Sequence, residues 1–558
     1  MSAITLSQTK SSHLRSIVCH ISCIMKGKGG EITMTFLTLL QLIVNILLVG
    51  ILVIAFIAFI AFLIFDKRQK QHSVLRNYPV LARVRYFFEH IGPEMRQYLF
   101  LNDNEDKPFS RTDYQNIVIA GKYNSRGTSF GTQKNYDSGY FINNAMFPTQ
   151  KNQLMVDNEE WISTFIYQIK SETLFNRSEY IRATKVQPYY LTPEHYVKIG
   201  ENIQHPFYVK RLVGQSGMSY GALGKNAITA LSKGLGMANT WMNTGEGGLS
   251  DYHLAGDVDI IFQVGPGLFG VRDEHGQFDP KHFMEVAEHP QVKAFEIKLA
   301  QGAKTRGGHI EGKKVTQEIA NIRKIKPYET VDSPNRFDFI HNADDLLKWI
   351  DELREMSQKP VGFKMVLGRK EDIQQLIDAM QTLDIYPDFI TLDGGEGGTG
   401  ATFQELQDGV GLPLFTALPI VDGLLKAHQL RDKVKIFASG KLVTPDKIAI
   451  ALALGADLVN VARAMMISVG CIMSRQCHKN TCPVGVATTD PKKEEALVVD
   501  EKQYRVTNYI TSLHEGLFNI AAAVGVKSPT EIGPEHVTIK YTNGAIESIQ
   551  DYQLKLIN

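Results

Sequence analysis

The chain has 558 residues and a formal net charge of +1, from 60 Lys and Arg against 59 Asp and Glu. That balance argues against nucleic acid as the main partner, because phosphate binding leaves a basic surplus. Ordinary hydrophobic and charged fractions, 44% and 21%, set aside disorder, collagen and long coiled coil. Five cysteines in so long a chain exclude a disulfide scaffold.

From Ile32 to Phe65 there are 34 residues without Asp, Glu, Lys or Arg. This exceeds the ~20 residues that cross a bilayer as a helix. It is also longer than the ~7 to 15 apolar residues of a cleaved signal, and Ala55, Ala58 and Ala61 do not form a cleavage site. A retained transmembrane helix over 34–66 is therefore expected, after an unpatterned extension over 1–33, with Met34 a candidate start of the chain. Lys67, Arg68, Lys70, Arg76, Arg83 and Arg85 follow the span, against Lys26 and Lys28 before it. The positive-inside rule then places the C-terminal part in the cytoplasm. Thiols stay reduced there, so Cys471, Cys477 and Cys482 are read as metal ligands or free thiols.

Residues 72–200 hold turn-rich stretches such as 123–131 and no sustained period, and read as a loop-rich accessory domain. After that, short apolar runs alternate with helix-like stretches. Eight runs are candidate strands: Arg211–Gly214, Ala238–Asn243, Ile260–Val264, Ala294–Leu299, Val361–Val366, Phe389–Leu392, Lys435–Ala438 and Leu458–Val461. Amphipathic helices are expected between them, at Asn226–Gly234, Ala343–Met356, Glu371–Leu383 and Pro445–Leu454 among others. Such alternation implies parallel pairing with helical crossovers. Eight units in roughly 260 residues predict an α/β fold, a (β/α)8 TIM-like barrel over 205–490, in preference to an open doubly wound sheet. A helical tail, centred on Val506–Val526, is expected over 491–558.

Two literal motif matches compete for attention. Gly265-Pro-Gly-Leu-Phe-Gly270 fits a dinucleotide fingerprint, but a helix should open there and the text instead turns polar. Gly217-Met-Ser-Tyr-Gly221 fits a hydrolase elbow, although few strand–helix units precede it, so Ser219 as a nucleophile is the reading from another class. The glycine clusters Asn243-Thr-Gly-Glu-Gly-Gly248, Asp393-Gly-Gly-Glu-Gly-Gly-Thr-Gly400 and Ser439-Gly-Lys441 all follow strands. Glycines there let backbone N–H groups approach a flat or anionic ligand. Loops after strands 7 and 8 often hold phosphate, which points to Ser439, Gly440, Ala462 and Arg463. Lys298 ends strand 4, where a cation can stabilise developing negative charge. Cys471-x5-Cys477-x4-Cys482 can supply three thiolates to an iron–sulfur cluster; zinc with His478, or three structural thiols, are the alternatives.

In this order, Gly217–Gly221, Asn243–Gly248, Lys298–Lys304, Asp393–Ala401 and Gly470–Gly485 resemble the FMN-binding synthase domain of glutamate synthase. The resemblance runs from about Lys210 to Pro491. It implies a barrel carrying FMN beside a 3Fe-4S cluster, and conversion of 2-oxoglutarate and ammonia to glutamate. It further implies that Cys471, Cys477 and Cys482 bind the cluster and that Lys298 sits near the flavin. Gln301 and Glu246 would line the substrate side, with Met218, Ser219, Gln263, Gly394, Gly395, Ser439, Gly440 and Arg463 cradling FMN. No segment the size of the family's glutaminase domain precedes the barrel, so ammonia is expected from solution or a partner. The electron donor or acceptor is expected to be a ferredoxin-like protein, a reductase subunit or a membrane carrier. Changes after Lys304 and the Leu before Asp393 keep another oxo acid, imino acid or amine open as substrate; a non-catalytic membrane subunit is the remaining alternative.

Overall fold

The computed structural model describes residues 30–69, 71, 73–105, 107–125, 127, 131, 134–173, 176–305 and 308–557, with side chains from 38 onward. The extension with Cys19 and Cys23, Lys70, and Arg306 and Gly307 after Lys304 lie outside the described residues, as does part of the 123–131 turn region. The chain forms two compact units, up to Asn102 and from Asp103.

In the first unit a helix spans Gly30–Arg68, and its Thr38–Arg68 portion of 31 residues contains an 18-residue stretch of mean hydropathy 3.3, none of it buried. At 1.5 Å per residue that portion extends about 46 Å, longer than the ~30 Å apolar core of a bilayer. By length and composition it can cross a membrane. Short and longer helices follow at Ser73–Asn77 and Leu81–Met95, and a single π turn at Arg96–Phe100 continues the second.

The second unit is built on a closed barrel of eight parallel strands. They are β1 (Val213–Gln215), β2 (Trp241–Asn243), β3 (Asp259–Val264), β4 (Val292–Lys298), β5 (Val361–Val366), β6 (Phe389–Asp393), β7 (Lys435–Ser439) and β8 (Leu458–Val461), and β8 closes on β1. Each of the eight predicted runs overlaps one of them. Parallel strands covered on both faces read as apolar runs, and β3, with Ile260, Ile261 and Phe262 fully buried, shows why. The helices between strands present amphipathic patterns, as in Ala343–Ser357, which starts on an Asn342 cap and buries Leu346, Leu347, Ile350 and Leu353.

Inside the barrel Trp241 is fully buried against Phe437, ring centroids 5.5 Å apart, and its Nε1 donates to Asn460 Oδ1 at 2.8 Å. Gly214 makes room for it, since a Cβ there would lie 2.2 Å from the indole. The helix Val499–Val524 lies in the outer layer between Lys225–Met237 and Pro445–Ala453, and also packs on Arg111–Tyr123. His514 on that helix accepts from the Leu212 N–H at 3.0 Å, and burial holds its imidazole well below the usual range.

Residues 139–200 join the same unit. Gly139–Ile142 pairs with Val537–Lys540, and a hairpin of Ile162–Glu172 and Arg177–Val186 lies against the Val499–Val524 helix. Asn508 fastens that hairpin. It accepts from Thr164 Oγ1 at 2.8 Å and donates to the carbonyls of Gly121 and Phe165 at 3.1 and 2.9 Å. Each such bond contributes about 1 kcal/mol net, and each would leave a buried group unsatisfied if lost.

Candidate functional site

The C-terminal strand ends form a mouth in which the predicted glycine loops interlock. Gly302, after β4, donates its N–H to Asp393 Oδ2 at the end of β6, 2.8 Å away. A Cβ on Gly302 would lie 2.2 Å from the Gly394 carbonyl and 2.5 Å from the Gly397 Cα, so only glycine permits the contact. Lys364, on β5, reaches the same Asp393 oxygen at 3.4 Å and Ser216 Oγ at 3.3 Å. Two glycine motifs far apart in sequence thus form one wall.

A cleft opens beside this wall, lined among others by Gly217, Gln301, Lys364, Ser439, Gly440 and Arg463. Arg463 donates to the Glu396 carbonyl at 2.7 Å and stacks over Phe109, 4.9 Å from the ring centroid. Lys441 lines the same cleft. Burial, then the neighbouring Arg463 charge, pulls its ammonium below the usual range. Two desolvated cations at the ends of β7 and β8 repel each other, so an anion placed with them relieves both costs.

Deeper in the barrel Gln215 on β1 is fully buried, and neither its amide oxygen nor its nitrogen has a hydrogen-bond partner. Nearby polar groups are satisfied. Glu296 accepts from Gln263 at 2.6 Å and Asn243 at 2.8 Å, and from the Thr391 hydroxyl. A buried amide with four bonding sites unfilled is costly.

A second group of charges surrounds Glu246, in the loop after β2. Lys298 Nζ lies 2.8 Å from Glu246 Oε1, and both side chains are largely buried. Burial pushes the Glu246 carboxyl up, but Lys298, Lys304 and Arg323 outweigh it and hold the group below its ordinary value. Lys304 carries the opposite strain: burial and the adjacent Lys298 charge pull its ammonium down to about 8. Arg323, on the helix Gln317–Arg323 of the long β4–β5 connection, donates to Ser219 Oγ at 3.4 Å and the Tyr220 carbonyl at 3.2 Å. Three cations thus face one carboxylate. Ser219 meets a guanidinium, not the base that would activate a nucleophile.

The cysteine loop follows β8 and the helix Arg463–Ser468. Cys471, Cys477 and Cys482 are free thiols, and Cys482 is the most deeply buried. Burial, with the other two sulfurs adding to it, pushes Cys471 up to about 12. Lys314 lies against this loop, its Nζ donating to the Cys477 carbonyl at 3.2 Å and the Ala222 carbonyl at 3.3 Å. Among the described residues no three His, Cys, Asp or Glu side chains converge as a single-ion site.

The conserved region of glutamate synthase matches residues 150–527. The chain belongs to the glutamate synthase family. The family is one of oxidoreductase enzymes. The chain is 57% identical over 491 residues to the glutamate synthase large subunit-like protein YerD of Bacillus subtilis (strain 168), covering 88% of this chain and 94% of that one. It is 33% identical over 314 residues to an archaeal glutamate synthase [NADPH] of Methanocaldococcus jannaschii, covering 56% and 58%. The chain therefore spans less than two thirds of that second relative. Among solved structures, a flavocytochrome b2 double mutant with pyruvate bound aligns over 81% of this chain and 85% of its own, at 12% identity and a TM-score of 0.40.

For this member of the glutamate synthase family, nine of the predicted residues fall into three places. Ser439, Gly440, Arg463 and Gln301 line the cleft. Glu246 and Lys298 form the ion pair, and the three cysteines share their loop. Met218, Gly394 and Gly395 act through the backbone: Met218 N–H donates to Asn243 O at 3.3 Å, Gly394 N–H to Ser439 O and Gly395 N–H to Leu412 O, both at 2.8 Å. Gln263 is engaged with Glu296. Sequence reasoning missed Gln215, Lys364, Arg323 and Lys314, which stand outside the motif roles. Only the alternation of β5 could have flagged Lys364, as a charged residue inside an apolar run.

Proposed function

We propose that this chain is the synthase component of a glutamate synthase, bound to the membrane through its N-terminal helix with the barrel in the cytoplasm. It converts 2-oxoglutarate and ammonia to glutamate. The observation that carries the substrate is the trio Lys298, Lys304 and Arg323 around Glu246, because three cations against one carboxylate suit a dianionic oxo acid. Ammonia is taken from solution or a partner.

FMN fits the cleft because Arg463 with Lys441 needs an anion, as a phosphate provides, and because the unbonded buried amide of Gln215 stands directly before Ser216 and Gly217 of the cleft's lining. Bound there, the flavin supplies hydride chemistry. Ser439 and Gly440 would meet the phosphate, and Lys298 would favour the anionic reduced ring from the strand 4 end. Three free thiols in one loop, close enough to influence one another, fit an iron–sulfur cluster, which asks one thiolate of each iron. Electrons come from a partner reductase, a ferredoxin-like protein or a membrane carrier.

Two outcomes test these assignments. Arg463→Ala should lower FMN retention tenfold or more through loss of a charge-assisted phosphate contact worth about 1.5–3 kcal/mol; flavin content after gel filtration reads it, and unchanged retention removes Arg463 from the site. Lys304 should lose its proton as pH rises through about 8. Below that value the trio is fully cationic, so KM for 2-oxoglutarate should rise above pH 8 in wild type and stay flat there in Lys304→Arg.

A further inference from the structure

The helical run that follows the span carries an apolar stripe. Leu81, Val84, Phe88, Ile91 and Met95 recur at steps of three and four, and Tyr98 and Leu99 extend the stripe into the π turn. Most of the stripe is open: Leu81 is 74% exposed and Phe88 57%. Arg85, Glu89 and Arg96 flank the stripe along one edge, and His90 lies on the far side of the helix from Phe88.

The start of this run is tied to the end of the membrane-length helix. Asp66, fully buried, accepts from Arg83 Nε at 3.0 Å and from the Val80 N–H at 2.9 Å. Arg83 also stacks over Phe62, 4.2 Å from its ring centroid. Val80 adopts φ 64°, a costly conformation for a β-branched residue, which turns the chain sharply at this point. The first turn of the amphipathic run is thus held at the level where the span ends. Residues 66–101 carry Lys67, Arg68, Lys70, Arg76, Arg83, Arg85 and Arg96 against Asp66, Glu89 and Glu94, a surplus of four positive charges.

We propose that residues 81–101 form an interfacial helix that lies in the cytoplasmic leaflet, its Leu81–Leu99 stripe among the acyl chains and its arginines at anionic headgroups. The occupant of the exposed stripe is lipid. Its continuity with the span, fixed by the Asp66–Arg83 lock, brings the stripe to the bilayer surface. The charge surplus complements anionic headgroups, and the aromatic residues Phe87, Phe88 and Tyr98 suit the interface. This inference rests on the membrane reading given above.

The test places a fluorescent amino acid by codon suppression at Val53, Phe88 or His90 in the full chain, reconstituted in phosphatidylcholine–phosphatidylglycerol vesicles. Lipids with a nitroxide near the headgroup or deep in the acyl chain serve as quenchers. Severalfold stronger shallow-nitroxide quenching at 88 than at 90, with deep-nitroxide quenching at 53, is the expected result. Quenching at 53 with equal quenching at 88 and 90, or with 88 shielded by protein, overturns the interfacial helix and leaves the span standing. No quenching at 53 overturns the membrane reading and the inference with it.

Discussion

Lys298→Met is expected to slow glutamate formation by about 10²–10³-fold while leaving FMN content near that of wild type. Lys298 is 5% exposed at the end of β4, and its ammonium touches Glu246 Oε1 at 2.8 Å. Removing it takes away a cation at the mouth of the barrel and leaves a buried carboxylate less well compensated. Breaking a buried pair costs about 3–5 kcal/mol, and Lys304 and Arg323 should keep the cost at the lower end. The pH dependence has a definite sign. Glu246 sits below its ordinary value in the folded protein, so its contribution is present above that ordinary value and lost as pH falls through the folded one. Without Lys298 the folded value rises, and acid unfolding should begin at higher pH. Stopped-flow flavin kinetics and acid titration of both proteins check the two halves; wild-type rates in the variant would remove Lys298 from the chemistry.

Cys477→Ser should reduce iron from about three per chain to near zero and leave about one FMN bound. The two sites are separate in the fold. The cleft stands on the ends of β7 and β8, whereas the cysteine loop lies beyond the Arg463–Ser468 helix and is braced by Lys314 through the Cys477 carbonyl. A serine keeps that carbonyl, so the brace and the fold survive the change. Iron, sulfide and FMN assays with low-temperature EPR read the result. Iron unchanged in the variant would contradict the ligand assignment.

The barrel was legible because its strands are buried on both faces and its helices are not. Ile260–Val264 and Phe389–Leu392 show as plain apolar runs, and Ala343–Ser357 as a periodic one. The interlocked glycines were legible as motifs, though not the Gly302–Gly397 contact that explains them. The hairpin at 162–186 was not. Its inward Thr164 is polar and buried by a partner 344 positions away, and its register shifts between Ile169 and Ser171, so alternation never becomes regular. Pro93 hid the helix at Leu81–Met95 in the same way, since a proline inside a pattern argues for a break. Gln215 and Arg323 gain meaning only from where the fold carries them.

The most direct test of the account is a single turnover without oxygen. The protein, its flavin reduced stoichiometrically, is mixed with 2-oxoglutarate and ammonium, and flavin absorbance and glutamate are followed together. Reoxidation of the flavin with one glutamate formed per flavin is the predicted result. A flavin that stays reduced, with no glutamate formed, would contradict the glutamate synthase reading.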